Sequence, residues 1–509
     1  MTRRRGWALD AAFGALIALG QAPFGVIPAA LIGLAGMIWR VSTPGSGRAR
    51  AARGWRAGAA YFAVTLHWIV EPFLVDVPRH GWMAPFALVL MAGGLALFWG
   101  LAGWTAARWQ ARGSAMAGFA LAFTLAEMLR SYIFTGFPWG LIGTIWIDTA
   151  PAQTVAYWGL HGLGLATLGA LSAGLALGAR LQVRGRAVAT GAGLLGSLAL
   201  LGLLAVAGAL RPPAPAIPPE APTLRLVQPN AAQHLKWDPE MIPLFFQRQL
   251  TLTAQPPEGP APDLILWPET AIAYRLGGAR PLLIQGAEAA GGVPLVLGAV
   301  RQTPAGPTNA LAVIDPDGRP GAIYDKAHLV PFGEYIPFGD LAARLGIRGL
   351  AVAEGGGFHA GPGPVLLDLG ALGQALPLIC YEAIFPQFGR SQARAADWML
   401  QITNDAWFGS FAGPQQHLIL ARFRAIERGL PLVRAANTGI STVIDSRGAM
   451  GAHLPLNTLG ALDAPLPPRS TPPPYARMGD LPLAILLSLA LALGVLRTVY
   501  LTARPVERD

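Results

Sequence analysis

Leu376-Pro-Leu-Ile-Cys-Tyr-Glu-Ala-Ile-Phe-Pro386 contains Cys380, the only cysteine in a chain of 509 residues. An apolar run from Leu376 to Ile379 precedes the thiol, and Tyr381 and Glu382 follow it. This pattern predicts a buried strand that ends at the thiol, at the edge where the sites of open sheets gather. A lone cysteine has no partner for an intramolecular disulfide, so it is either a small buried apolar residue or a reactive thiol.

The composition of the chain indicates a membrane protein. It is 53% hydrophobic and 13% charged, whereas soluble domains carry about 25% charged residues. The net charge of +10 comes almost entirely from arginines in short clusters beside apolar runs. That placement is typical of membrane topology and disfavours a nucleic-acid-binding face. The length favours more than one structural unit.

Eight apolar segments are candidates for transmembrane helices, which need roughly 17–25 residues. The first two are short, so the alternative is a helical hairpin that does not fully cross. Arginine-rich loops alternate with loops that carry few basic residues, which places both termini in the cytoplasm. The segments are Trp7–Gly20, Phe24–Trp39, Ala57–Val75, Met83–Trp104, Ala115–Arg130, Gly159–Arg180, Ala187–Leu210 and Leu481–Leu496.

Four ionisable residues fall near the ends of these segments: His67, Glu71, Glu127 and Arg130. Charges within membranes often mark functional sites. Their boundary positions favour snorkelling to the interface, with contact to a lipid head group as the alternative.

The long segment between the seventh and eighth apolar segments has a different pattern. Residues 1–210 are predicted to form about seven transmembrane helices, residues 211–480 one outer domain, and residues 481–509 the last helix and a cytoplasmic tail. Proline-rich linkers flank the outer domain. Its alternation of strands and helices predicts an α/β fold. The strands are expected at Thr223–Val227, Leu264–Leu266, Pro294–Val300, Asn309–Ile314, Ala375–Ile379, Trp398–Ile402 and Leu432–Ala435. The helices are expected near Asp238–Ala254, Leu282–Ala290 and Gln415–Arg428.

Two further polar positions resemble the one around Cys380. Glu269 ends the apolar run of Leu264-Ile-Leu-Trp-Pro-Glu-Thr270, and Lys326 and Glu334 lie in the stretch from Tyr324 to Tyr335. A thiol becomes a nucleophile when a carboxylate accepts its proton and an ammonium stabilises the thiolate and the oxyanion. Taken singly, each residue has an ordinary interpretation as a turn residue or a solvated charge.

Three motifs in this order resemble the nitrilase (carbon–nitrogen hydrolase) superfamily: Trp267-Pro-Glu269, Asp325-Lys-Ala-His-Leu-Val-Pro-Phe-Gly-Glu334 and Cys380-Tyr-Glu382. Together with the apolar segments, they make the whole chain resemble the bacterial apolipoprotein N-acyltransferase family. That resemblance implies an extracytoplasmic αββα sandwich inserted in a transmembrane helical bundle, with a catalytic triad of Glu269, Lys326 and Cys380. Three more stretches are similar to the family: Thr403–Gly409, Arg422–Arg428 and Arg434–Ser441.

The resemblance implies the last step of lipoprotein maturation in the bacterial inner membrane, with the catalytic domain on the periplasmic side. A fatty acyl chain would pass from a phospholipid, through a thioester on the cysteine, to the N-terminal α-amino group of a diacylglyceryl-cysteine apolipoprotein. We expect a monomer with no cofactor, no metal and no nucleic-acid partner. Two alternatives stay open: a membrane-tethered amidase that hydrolyses small amides, and a transporter whose outer domain only binds ligand.

Further residues are candidates for supporting roles. We expect Glu334 to orient Lys326 or Glu269, with a structural hydrogen bond as the alternative. Tyr381 and Glu382 either line the acceptor pocket or support the strand end. Trp237 either contacts lipid or packs in the core.

The apolar stretch from Leu341 to Ala353 suits a mobile lid that touches the bilayer, and the glycines after it suit a hinge. A buried core helix is the alternative. The lid candidates are Leu345, Leu350 and Gly356.

Overall fold

The computed structural model describes residues 3–109, 111–181, 185–337 and 357–503. These residues form two compact units. The first comprises the described residues of Met1–Val70, Met83–Pro212 and Met478–Asp509, and the second those of Glu71–Trp82 and Pro213–Arg477. The predicted lid residues Leu345, Leu350 and Gly356 lie outside the described residues.

The first unit is helical. Its main helices are Arg3–Ala18, Ile27–Val41, Gly47–Thr65, Ala84–Ala106, Arg112–Tyr132, Val155–Arg180, Arg186–Ala209 and Leu481–Ala503. Four helical stretches of the described chain are long and apolar enough to cross a membrane: Val77–Ala106, Arg112–Thr135, Ala150–Arg180 and Ala187–Ala209. A fifth is possible if Gly47–Thr65 and His67–Leu74, which meet at a bend of 65°, count as one span. The apolar helical region is therefore confirmed, and the number of eight spans stays a prediction.

A buried ion pair lies inside this helical unit. The Arg130 guanidinium donates to both oxygens of Glu127, at 3.1 and 2.7 Å, and Trp99 Nε1 donates to Glu127 at 3.1 Å. Arg130 also donates to the carbonyl oxygen of Trp139 at 2.8 Å. The prediction of snorkelling is wrong for Glu127 and Arg130, because both are buried and their polar atoms bond to each other and to Trp99 and Trp139 within the unit.

The second unit contains two six-stranded sheets. In chain order the strands are β1 (Thr223–Gln228), β2 (Leu264–Leu266), β3 (Leu295–Thr303), β4 (Gly306–Ile314), β5 (Pro320–Asp325), β6 (Leu367–Asp368), β7 (Gln374–Ile379), β8 (Trp398–Thr403), β9 (Leu432–Ala436), β10 (Ser441–Ile444), β11 (Met450–Leu454) and β12 (Gly460–Pro465). The strand order is β12-β1-β2-β3-β4-β5 in the first sheet and β11-β10-β9-β8-β7-β6 in the second.

Both sheets are mixed. The pairs β1–β2, β2–β3, β7–β8 and β8–β9 are parallel, and the outer pairs are antiparallel. The longer helices of this unit are Ile242–Thr253, Arg280–Ala289 and Gly413–Arg428. The α/β prediction is confirmed.

An apolar cluster around β2 and β3 shows why these segments fold as they do. Trp267 is fully buried, and its indole N–H donates to Thr253 Oγ1 at 2.8 Å. Ile265 and Leu295 contribute to the same apolar cluster, against which Phe246 packs. Burying each large apolar side chain contributes about 1.5–3 kcal/mol. This packing fixes β2, and with it the position of the residues that follow β2.

Candidate active site

Each of the three predicted catalytic residues comes just after a strand. Cys380 follows β7 directly, Lys326 follows β5 directly, and Glu269 lies three residues beyond β2. The strands β2 and β5 belong to one sheet and β7 to the other. All three side chains are buried, and both Glu269 and Lys326 act on the pKa of Cys380. The structure therefore brings the predicted residues together.

Lys326 lies between two carboxylates. Its Nζ is 2.9 Å from Glu334 Oε1 and 3.7 Å from Glu269 Oε1. Burial alone would lower the pKa of Lys326, but Glu334 and Glu269 outweigh burial, and the pKa is raised. Lys326 is therefore a fixed cation, the charge that a thiolate or an oxyanion requires.

Glu269 is held by a donor on each carboxylate oxygen. Asn309 Nδ2 donates to Oε1 at 2.7 Å, and the backbone N–H of Asn404 donates to Oε2 at 2.8 Å. Asn309 also donates to Glu334 Oε1 at 3.0 Å, and the backbone N–H of Val330 donates to Glu334 Oε2 at 2.8 Å. Glu334 therefore contacts Lys326 directly and shares the Asn309 amide with Glu269.

Sequence reasoning missed both asparagines as individual site residues. Asn309 begins the apolar run of β4, where a buried amide requires a polar partner, and that was an available signal. Asn404 lies in the stretch from Thr403 to Gly409, which the sequence singles out only by resemblance. Its backbone N–H carries no sequence signal.

Cys380 occupies a strained backbone conformation. Its φ of +50° lies in the left-handed region, which few residues other than glycine adopt. The Cys380 carbonyl oxygen lies 3.1 Å from His417 Nε2 and accepts a hydrogen bond from Gln401 Nε2 at 3.3 Å. Strain of this kind persists where the surroundings over-determine the conformation, as at many active sites.

A buried acid–base network supports His417. Asp405 Oδ1 lies 2.9 Å from His417 Nδ1, and Arg434 Nη2 lies 2.5 Å from Asp405 Oδ2. Burial raises the pKa of Asp405, but Arg434 and His417 outweigh it, and the pKa lies well below its usual range. Asp405 is therefore ionised, and it holds His417, which contacts the Cys380 carbonyl oxygen.

The thiol of Cys380 is protonated at rest. Burial, followed by the charge of Glu269, raises the pKa of Cys380, whereas Lys326 and a hydrogen bond with Thr403 lower it. The net shift is upward, so the thiol needs a base when it attacks. Glu269 is the carboxylate that fits this role.

Glu382 is completely buried and accepts four hydrogen bonds. Tyr324 OH donates at 2.7 Å, and the backbone N–H groups of Ala327, His328 and Ile379 donate at 2.8, 3.0 and 2.8 Å. Burial raises the pKa of Glu382 to about 7, although these donors oppose the rise. Its contacts join the loop after Lys326 to the end of β7, which favours the strand-support alternative.

The remaining candidates differ in exposure. Tyr381 is buried, with its ring 4.9 Å from that of Phe385 and 5.8 Å from that of His328. Trp237 is 40% exposed, so the core-packing alternative does not describe it. Among the residues that the structure describes, no cluster of three or more His, Cys, Asp or Glu side chains is arranged to hold a metal ion.

Gly298 fixes the distance between β3 and the turn that carries Glu269. A Cβ at Gly298 would lie 2.5 Å from the backbone nitrogen of Thr270 and 2.7 Å from Cα of Glu269. We expect Gly298→Ala to displace the carboxylate and to lower the rate of the reaction about tenfold or more. Its measurement is kcat for the acyl transfer that the family resemblance implies.

Gly277→Ala is the matched control, because a Cβ at Gly277 meets open space. It should leave kcat unchanged. Wild-type kcat in Gly298→Ala would show that the position of this turn does not limit the reaction.

The chain matches two protein families in succession. Residues 13–173 match the apolipoprotein N-acyltransferase N-terminal domain, and residues 223–471 match the carbon–nitrogen hydrolase family. A solved structure of an amidase from Nesterenkonia sp. is similar to 53% of this chain and 97% of its own, with 21% identity and a TM-score of 0.37.

Relatives match over nearly the full length. The apolipoprotein N-acyltransferase of Caulobacter vibrioides is 38% identical, across 97% of this chain and 95% of its own length. That of Rhodopseudomonas palustris is 36% identical, across 95% of this chain and 94% of its own. These matches confirm the predicted resemblance, and the chain belongs to the apolipoprotein N-acyltransferase family, with a carbon–nitrogen hydrolase domain over residues 223–471.

Proposed function

We propose that this chain transfers a fatty acyl chain from a membrane phospholipid, through a thioester on Cys380, to the N-terminal α-amino group of a diacylglyceryl-cysteine apolipoprotein. The observation that carries the proposal is the buried grouping of Glu269, Lys326 and Cys380 at strand ends. The relatives' names supply the acyl-transfer chemistry and the lipoprotein acceptor. The apolar helices are consistent with a substrate drawn from the membrane.

The first half-reaction forms the acyl-enzyme. Glu269 accepts the thiol proton, and the thiolate of Cys380 attacks the ester carbonyl of the phospholipid. Lys326 and a backbone N–H near Cys380 stabilise the oxyanion. The ester C–O bond breaks, the leaving alkoxide takes the proton from Glu269, and a lysophospholipid departs.

The second half-reaction forms the amide. The α-amine of the apolipoprotein attacks the thioester carbonyl, and Glu269 accepts a proton from the attacking nitrogen. The C–S bond breaks and the thiolate of Cys380, with Lys326 beside it, regains a proton from Glu269. The two half-reactions together make a ping-pong cycle.

The intact mass of the purified full-length chain after exposure to phospholipid vesicles tests the proposal. We expect a gain equal to one fatty acyl group, which hydroxylamine removes because it cleaves thioesters. Since Cys380 is the only cysteine, Cys380→Ser is the matched control and should gain no hydroxylamine-labile mass. Absence of the adduct in the wild-type chain, together with turnover of small amides, would favour the amidase alternative.

The same proposal includes the setting of the enzyme. The chain would be a monomer in the bacterial inner membrane, with both termini in the cytoplasm and the domain of residues 211–480 on the periplasmic side. The distribution of arginines between loops supports this orientation. Glu334 would position Lys326, and Trp237 would contact lipid, which its exposure allows.

A further inference from the structure

The chain contains 38 basic residues, and only two of them are lysines, Lys236 and Lys326. Both are buried in the second unit. Arginine and lysine are not interchangeable, because an ammonium is compact and can lose its proton when it is buried. The other 36 of these residues are arginines. The mechanism above uses Lys326, so the second lysine requires an explanation.

Lys236 contacts the segment that carries the general base. Its Nζ donates to the backbone carbonyl oxygen of Glu269 at 3.1 Å and to Thr270 Oγ1 at 2.7 Å. Lys236 belongs to the loop between β1 and the helix Ile242–Thr253, whereas the turn follows β2. The ammonium therefore joins this loop to the Glu269–Thr270 turn.

The Glu269–Thr270 turn has an unfavourable backbone conformation that neighbouring residues must stabilise. Thr270 has a φ of +46°, and a β-branched residue in the left-handed region is an outlier. Gly298 packs against one side of the turn, where Ala271 N–H donates to the Gly298 carbonyl oxygen at 2.8 Å. Lys236 contacts the carbonyl and side-chain oxygens of the same turn, so it acts as a second brace.

The charge of Lys236 also reaches the reacting groups. Burial lowers the pKa of Lys236 to about 8, and the charges of Glu269 and Cys380 oppose that change. In the part of the chain that the structure describes, these two are the ionisable groups that act on it. The coupling is reciprocal, so an ammonium that a thiolate favours also favours the thiolate. With its pKa lowered to about 8, Lys236 loses its charge progressively as the pH rises from neutral to alkaline values.

We propose that Lys236 is a second ammonium of the catalytic centre, a positioning residue that fixes the Glu269–Thr270 turn and favours the thiolate of Cys380. This inference rests on the proposed function, because it requires Cys380 as the nucleophile and Glu269 as the base. A lysine suits the position because its compact head fits between two oxygen acceptors of one turn.

The test is the rate at which iodoacetamide alkylates Cys380 in the full-length chain, followed by intact mass between about pH 6.5 and 9.5. Alkylation reports the thiolate and needs no lipid. We expect Lys236→Met to slow alkylation about tenfold near pH 7. The difference from the wild type should shrink to less than about twofold by pH 9.5, because wild-type Lys236 is then neutral as well.

Two further variants separate charge from packing. Gln249→Met removes a neutral brace of the same segment, since Gln249 Nε2 donates to the Ala271 carbonyl oxygen at 2.8 Å. Its alkylation rate should differ from the wild type by a factor that does not change with pH. Lys236→Arg keeps its charge over the whole range, so the ratio of its alkylation rate to that of the wild type should be constant well below pH 8 and should rise above it. Thermal unfolding of each variant verifies that it is folded.

A constant ratio between the wild type and Lys236→Met across the pH range, as for Gln249→Met, would overturn the inference. The proposed function fails separately. If wild-type Cys380 gains no acyl group from phospholipid, the function is wrong whatever the alkylation profile. If it gains one and the profile of Lys236→Met parallels the wild type, only the role of Lys236 is wrong.

Discussion

Cys380→Ser is expected to lower acyl transfer by about 10⁴-fold or more, while the protein still folds and inserts into the membrane. A hydroxyl is far harder to deprotonate than a thiol, and an acyl-serine ester resists attack by an amine more than a thioester does. The substitution replaces one buried sulfur atom by oxygen. It leaves the backbone of residue 380, with its φ of +50°, and the contacts of its carbonyl oxygen in place. The measurement is transfer of a labelled acyl chain to a diacylglyceryl-cysteine peptide.

Ser391→Ala, which removes an exposed hydroxyl outside the site, is a suitable control and should transfer normally. Glu269→Gln should be as inactive as Cys380→Ser, since the amide cannot accept the thiol proton. Full transfer by either active-site variant would refute the proposed mechanism. Wild-type transport of a ligand by Cys380→Ser would instead favour the transporter alternative.

Lys326→Met should be nearly as inactive, with a loss of about 10³-fold, and unlike Cys380→Ser it should also destabilise the domain. Without the ammonium, the buried carboxylate of Glu269 and the partly buried carboxylate of Glu334 lose their shared cation, and the Asn309 amide that donates to both does not replace its charge. Breaking a buried ion pair in this way costs about 3–5 kcal/mol. Chemical denaturation of the variant and the transfer assay measure the two effects.

A double variant separates these effects. Lys326→Met combined with Glu334→Gln removes one charge of each sign, so much of the lost stability should return. Activity should stay absent, because the cation at the thiolate is still missing. Recovery of transfer in the double variant would show that Lys326 has only a structural role.

Glu269 and Cys380 were predictable because each stands at the end of an apolar run, whereas Lys326 follows a strand that the sequence did not reveal and was identified by the motif from Asp325 to Glu334. The chemistry of a strand end is local, and a sequence displays it. The contacts of these residues are not local. Asn404 approaches Glu269 from 135 positions along the chain, and no local pattern indicates that proximity. Lys236, likewise, depends on how the loop after β1 folds back.

The strands likewise divide into those that a local sequence pattern predicts and those that it does not. The seven predicted ones are buried and apolar, as in β7 and β8. The sequence did not reveal β5, which begins with Pro320-Gly and is exposed over its first three residues, or the largely unburied β11 and β12. The short β6 and β10 were also missed. Such strands are specified by their neighbours in the sheet, which a sequence window does not contain.

The sequence predicted that the first unit is helical, but it predicted the first and last residues of the helices less well. The expected segment Ala57–Val75 begins ten residues earlier as the helix Gly47–Thr65, because Ser46 caps its start by accepting from the N–H of Ala49. A bend of 65° then separates it from the helix that follows. Hydropathy reports where apolar residues lie, whereas caps and bends decide where a helix begins and ends.

The pairing of β1 with β12 has a consequence for biosynthesis. Thr223 pairs with Pro465, so the first strand to leave the ribosome lies in the sheet beside the last. Roughly 240 residues separate them, which take on the order of 10–50 s to synthesise. During that interval β1 has an unpaired edge, the kind of surface that promotes aggregation. The nascent domain therefore cannot complete its first sheet until translation has nearly reached the helix Leu481–Ala503, and a chain that stops before Gly460 leaves that edge permanently open.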